Sequence, residues 1–279
     1  MLYRADRNDV CVYRAAGWKG AAMSHISSMR HCCELVRVLL YKEMQVRYRG
    51  SLLGYAWSVA HPLTFGLIYW LVFGRIMRVP VAEYPLFLLS GLFPWQWMAA
   101  SLGNAPAAFM ANGAIIRKTA FPRGVLPFSQ VLMEGVHFLC ALPVLTGFLL
   151  WYGHRPALCW LWAVPALFMF QILFLTGMSW LLASLTPFLR DLERFVQLGI
   201  MMLMYATPVI WSADMLPARW QWLLNVNPAA PLVMAWRELL LHNRVMLFLF
   251  PLTILMAFLS LLAGWFVLRR LAPRLAEVL

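Results

Sequence analysis

The stretch VLMEGVHF, Val131 to Phe138, carries Glu134 and His137 three residues apart. On a helix that spacing sets both side chains on one face, within reach of each other. A carboxylate beside an imidazole titrates near neutral pH, so the pair suits a proton relay. It also suits a structural polar contact between packed helices. One pair with no further acids or bases makes a poor relay, which favours the structural use. Other chemistry is scarce. The phosphate-binding pattern G-x-x-x-x-G-K-[ST] is absent, as is H-E-x-x-H. The six histidines are scattered, and none of the five cysteines forms a C-x-x-C pair. No catalytic, cofactor-binding or metal-binding residue is predicted. Energy for any work must come from a partner or from an ion gradient.

A second stretch, NGAIIRKTAFPRG from Asn112 to Gly124, is short, basic and stopped by a proline. Asn112 suits an N-cap, Ile115 and Ile116 make an apolar side, and Arg117 and Lys118 face water, headgroups or an acidic partner. Pro122 ends the helix, because its ring biases Phe121 away from helical geometry. A basic anchor would explain the charges alone. It would not explain a helix that stops just before a long apolar run, which a rigid knob seated in a partner's groove would.

The elements that position these residues are dictated by composition. Of 279 residues, 63% are hydrophobic and 12% charged, where soluble domains carry roughly 25% charged residues. Apolar runs near the ~20 residues needed to cross a bilayer recur along the chain, so the fold class is an all-α polytopic membrane protein. The net charge of +12 does not indicate nucleic acid, because the cations cluster in short loops beside apolar spans. Residues 1–24 lack the apolar stretch of a signal peptide and match no periodicity. They are expected to be a disordered tail, unless translation starts at Met23 or Met29. Residues 25–50 read as an amphipathic helix, with Ile26, Met29, Cys33, Val36, Leu40 and Met44 on one face and Arg30, Glu34, Arg37, Tyr41, Gln45 and Arg49 on the other. Such a helix suits the membrane interface.

Six spans are predicted within residues 51–268: 55–77, 84–110 (broken by Pro94 and Pro106), 125–152, 157–185, 195–211 and 245–268. Seventeen of the 23 cations fall on the side that holds both termini, the Asn112 loop and the Arg190 loop, against six on the other. Both termini, including the tail 269–279, are therefore expected in the cytoplasm. The segment 212–242 holds Trp220, Trp222 and Trp236 but is cut by Pro217, Pro228 and Pro231. It reads as short helices at the outer interface, either a tryptophan belt or a lid over a pore exit.

The run YKEMQVRYRGSLLGYAWSVAHPL resembles the start of the membrane subunits of polysaccharide-exporting ABC transporters. Arg47, Tyr48, Ser51, Leu53, Gly54, Trp57 and Pro62 stand at the positions of that family's leading motif. GLFPWQW, NGAIIRKTAFPRGVLP, FLRDLERF, TPVIWSADMLP and NVNPAAPLVMAWRE continue the likeness in order, over about Leu35 to Leu240. It is nearest to O-antigen export permeases of Gram-negative bacteria, while capsule and teichoic acid exporters are more distant. The tail before the amphipathic helix is not part of that plan.

The resemblance implies a homodimer in the inner membrane with two copies of a separate ATPase docked beneath, and ATP and Mg bound there rather than on this chain. A lipid-linked polysaccharide would be drawn in near Arg47, Tyr48 and Arg49. The first and fifth spans would line the channel, through Trp57, Phe65, Tyr69 and Phe73 and through Phe195, Met202 and Tyr205. Coupling to the ATPase would fall to a helix within 111–123, at Asn112, Ile115, Ile116, Arg117, Lys118 and Phe121, joined by Arg190, Asp191 and Arg194. Trp211, Trp220 and Trp222 would form a periplasmic gate within 212–242. The rival expectation is an ion-coupled secondary transporter or lipid-glycan flippase that works through Glu134 and His137.

Overall fold

A computed structural model describes residues 25–48, 57, 60, 63–64, 67–68, 70–76, 78, 81, 83–113, 116, 121–245 and 249–275. All regular elements among these residues are helical. They are α1 (His25–Tyr48), a π-helical turn (Trp70–Ile76), α2 (Tyr84–Asn104), α3 (Ala107–Met110), α4 (Val125–Trp151), α5 (Trp160–Leu185), α6 (Leu192–Ala206), α7 (Trp222–Val226), α8 (Ala230–His242) and α9 (Leu249–Leu271). Three 3-10 turns complete them, at Ala213–Met215, Ala218–Trp220 and Ala272–Arg274. Among the described residues, α4, α5 and the segment Pro251–Arg274 are long and apolar enough to cross a membrane. Ten of the 23 residues of the first predicted span, 55–77, lie outside the described residues.

Pro94 does not break the second predicted span. α2 runs through it, and the helix is interrupted only at Ala105 and Pro106, from which α3 starts. A proline inside a helix removes one intrahelical bond. Gln171 of α5 donates to the Pro94 carbonyl at 2.9 Å, which ties the helix to α5 at this point. The fifth predicted span is shorter than its apolar run. α6 stops at Ala206, Thr207 is extended, and its 15 residues fall short of the ~20 that cross hydrocarbon unaided.

Small residues and aromatic rings hold the bundle together. α5 and α9 touch backbone to backbone, since a Cβ at Gly177 would collide with the main chain at Ser260 and Leu261, and one at Gly264 with Gly177 itself. Close approach of this kind is how helices associate where lipid removes the hydrophobic drive. Ser260 adds a bond from its hydroxyl to the Phe174 carbonyl at 3.1 Å. Trp97, Phe138, Phe168 and Trp236 pack in a chain of rings with centroids 4.7 to 5.2 Å apart. These rings join α2, α4, α5 and α8.

α8 packs inside the bundle: Trp236 is wholly buried, and so are most of its neighbours along the helix. Pro231 stands in its first turn, where a missing N–H costs nothing. The Trp236 indole donates to Gln171 at 2.7 Å, so α8 is part of the core.

Candidate functional site

Two ends of the bundle and one face of α6 carry the residues singled out by the sequence. At the basic end, the loop after α3 packs into a cluster of Ala108, Phe109, Ile116, Leu126, Ala183 and Leu275, with Leu39, Phe121 and Leu268 against it. Ile116 is only 5% exposed. It is covered by its own chain. Phe121 is half-buried in the same cluster. Asn112 stands in the turn that follows α3. Its amide donates back to the Ala108 carbonyl at 2.9 Å, and its oxygen accepts a long 3.5 Å bond from Lys42 of α1. The backbone carbonyl of Asn112 accepts the Ile116 N–H at 3.1 Å, one helical turn. Ile115, Arg117 and Lys118 lie outside the described residues. The Trp180 indole of α5 donates to the Gly124 carbonyl at 2.8 Å.

Arg190, Asp191 and Arg194 are exposed at the start of α6. Beside them stand the exposed Phe188 and Leu189, which the sequence reading missed. Two apolar residues between a helix end and charges were the available signal. Of the residues expected to draw in substrate, Arg47 and Tyr48 end α1 but their side chains, like all of Arg49, lie outside the described residues. Earlier on α1, Glu34, Arg37, Tyr41 and Gln45 are exposed, while Val36, Leu40 and Met44 are half-buried.

α6 has no buried residue. Phe195, Leu198, Met201, Met202 and Tyr205 are all more than half exposed. Their three- and four-residue spacing sets them along one face of the helix. Gln197 holds the helix to α2 by donating to the Gly103 carbonyl at 3.3 Å. Trp57 is half exposed. Phe65, Tyr69 and the Phe73 side chain lie outside the described residues.

Past α6 the chain is extended through Thr207, and side chains take up its carbonyls one after another. Trp211 donates to Tyr205 at 3.0 Å, and Asn227 to Ala206 at 3.2 Å. Arg237 donates to Pro208 at 2.5 Å and Val209 at 2.8 Å, and Tyr84 to Ile210 at 3.0 Å. Arg237 also donates to the Phe87 carbonyl at 3.2 Å, and its guanidinium lies 3.7 Å from the Phe87 ring centroid. It is buried. Gly91 makes the space, since a Cβ there would meet Arg237 Nη2. Neither Arg237 nor Tyr84 was anticipated. The one signal was a lone arginine in the apolar run APLVMAWRELLL. Trp211 is half-buried by its bond, whereas Trp220 and Trp222 are exposed on the turns between.

Glu134 and His137 do pair, with Oε2 and Nδ1 3.0 Å apart. Asn104, at the end of α2, donates to the other Glu134 oxygen at 3.4 Å. The carboxylate therefore bridges α2 and α4.

Residues 34–241 match the family model described as ABC-2 type transporter. Two O-antigen export system permease proteins RfbA of Klebsiella pneumoniae are 44% and 42% identical to this chain over 246 residues, 88% of this chain and 95% of each relative. One of the same description from Myxococcus xanthus is 30% identical over 213 residues, 74% of this chain and 80% of the relative.

Proposed function

The chain belongs to the ABC-2 type transporter family, and from that premise we propose that it is the membrane subunit of an ATP-driven exporter of a lipid-linked polysaccharide, with O-antigen as the cargo. The observation that carries this reading is the identity with two O-antigen export permeases along 88% of the chain. The chain itself is no enzyme. Hydrolysis belongs to a separate nucleotide-binding partner that holds ATP and Mg, two copies to a homodimer of this chain in the inner membrane.

The exposed face of α6 supports a channel at the junction of two copies. A row of rings and thioethers in water-facing walls stacks on the C–H faces of pyranoses and leaves their hydroxyls solvated, so a long polymer slides without a tight site. Phe195, Met202 and Tyr205, with Trp57, are its lining. The basic end, with Asn112, Phe121, Phe188, Leu189, Arg190, Asp191 and Arg194, is where the ATPase docks. Arg47, Tyr48 and Arg49 receive the pyrophosphate-lipid head, because arginine binds phosphate bidentately. The cation bias places both termini in the cytoplasm, and the segment 212–242 gates the periplasmic exit.

Co-expression with an ABC ATPase and purification test the reading. The expected result is a stable complex whose polysaccharide transport stops when ATP is withheld. A chain that moves glycan alone on a pH gradient, and fails on Glu134→Gln, would contradict it and restore the ion-coupled alternative.

A further inference from the structure

We propose that Leu275 is a positioning residue for coupling: it seats Ile116 and Phe121, in the loop after α3, against the bundle, so that the end of α9 moves with them. The proposal rests on the export reading above. Leu275 lies beyond residues 34–241, the part of the chain that the family model covers.

The local sequence explains how a leucine so near the carboxyl end becomes buried. In LRRLAPRL, Pro273 has no N–H to continue the helix, so α9 stops at Leu271 and a 3-10 turn follows over Ala272–Arg274. Arg269, Arg270 and Arg274 stay exposed. The turn folds Leu275 the opposite way, and it is 0% exposed. A basic stretch at a helix end would ordinarily run out into water or headgroups, yet this one sends its leucine back beneath the loop. There it shares one buried cluster with Phe109 of α3, Ile116 of the loop, Leu126 of α4 and Ala183 of α5. Ala108 and Ala183 are small enough to leave the seat open.

Two features make this seat a transmission point. Apolar contact is non-directional, so it persists while the loop shifts by small amounts. Further along, α9 is locked to α5 by the backbone contact of Gly177 and Gly264. A push on the loop therefore reaches α4, α5 and α9 together through the leucine, rather than α4 alone through the covalent chain.

The test uses the full chain co-expressed with its ATPase, carrying Leu275→Ala, Leu275→Met, or Arg274→Ala at the exposed neighbour. Three quantities are read: assembled complex, ATP hydrolysed, and polysaccharide reaching the surface. For Leu275→Ala, polymer exported per ATP falls about ten-fold at unchanged complex level, within the range by which substitutions in a coupled contact network act. Leu275→Met restores it and Arg274→Ala leaves it alone. Export per ATP that stays at the wild-type value in Leu275→Ala, or export that drops only in step with the amount of complex, overturns the proposal. A wild-type complex that exports without ATP overturns the export reading instead, so the two failures are distinct.

Discussion

The two ends of the bundle are built from opposite materials. Where α6 gives way to 207–211, five backbone carbonyls, from Tyr205 to Ile210, are each taken up by a side chain from elsewhere in the fold or the next turn. At the basic end, the described residues of the loop after α3 are held by a greasy cluster and, among those residues, by the polar bonds of Lys42, Asn112 and Trp180. Hydrogen bonds demand one geometry within tenths of an ångström, whereas apolar contacts tolerate sliding. The first end is suited to a latch that is either made or broken. The second suits a seat that transmits graded movement. In an exporter, a periplasmic gate needs the former and a joint to a motor needs the latter.

The sharpest way to break this contrast is Arg237→Ala. Three carbonyls would lose their donor in a buried setting, at about 1–3 kcal/mol each. The expected outcome is the largest loss of thermal stability of any variant named here, read by unfolding in detergent, together with passive leakage of small solutes through the complex. Arg237→Lys, with one ammonium in place of a fork of donors, should recover only part of the loss.

A matched pair of conservative changes sharpens the comparison. Tyr84→Phe and Trp180→Phe each delete one donor to a backbone carbonyl, one at each end. Tyr84 is buried and Trp180 only half-buried. The first should cost about 1 kcal/mol of stability, and the second less, because water reaches the Gly124 side more readily. Equal costs in a thermal-shift measurement would mean that the two ends do not differ in the way described.

The smallest stability effect is expected on the exposed face of α6. Phe195→Ala and Tyr205→Ala should change stability by no more than about 0.5 kcal/mol, as befits surface positions, while export falls clearly in a surface-glycan assay. Loss of stability in parallel with export would place this face in packing rather than on the polymer's path.

Hydropathy and spacing made much of this legible. The bounds of α4 and α5 lie within a few residues of their apolar runs, and the alternation along α1 separates Arg37 and Tyr41 from Val36 and Leu40. Glu134 and His137 pair because a three-residue step on a helix leaves them adjacent. What stayed illegible shares a cause. Pro217, Pro228 and Pro231 with Arg237 and Glu238 do not show how deeply α8 packs, because the partners of Arg237 are backbone carbonyls that carry no sequence signature. Ile116 reads as an apolar side of a helix, and only the fold reveals that it is buried in one cluster with Leu126, Ala183 and Leu275 of its own chain. Leu275 looked like part of a tail, since nothing short of the three-dimensional turn at Pro273 shows where it points.

The central claim is that polysaccharide passes along the exposed face of α6 when the partner hydrolyses ATP. A photo-crosslinking residue placed at Met202, with Met169 on the exposed side of α5 as control, tests it in cells that make the polymer. The account expects ultraviolet capture of glycan at position 202 that depends on ATP, and none at 169. Equal capture at both positions, or none at 202 in cells that export normally, would contradict it.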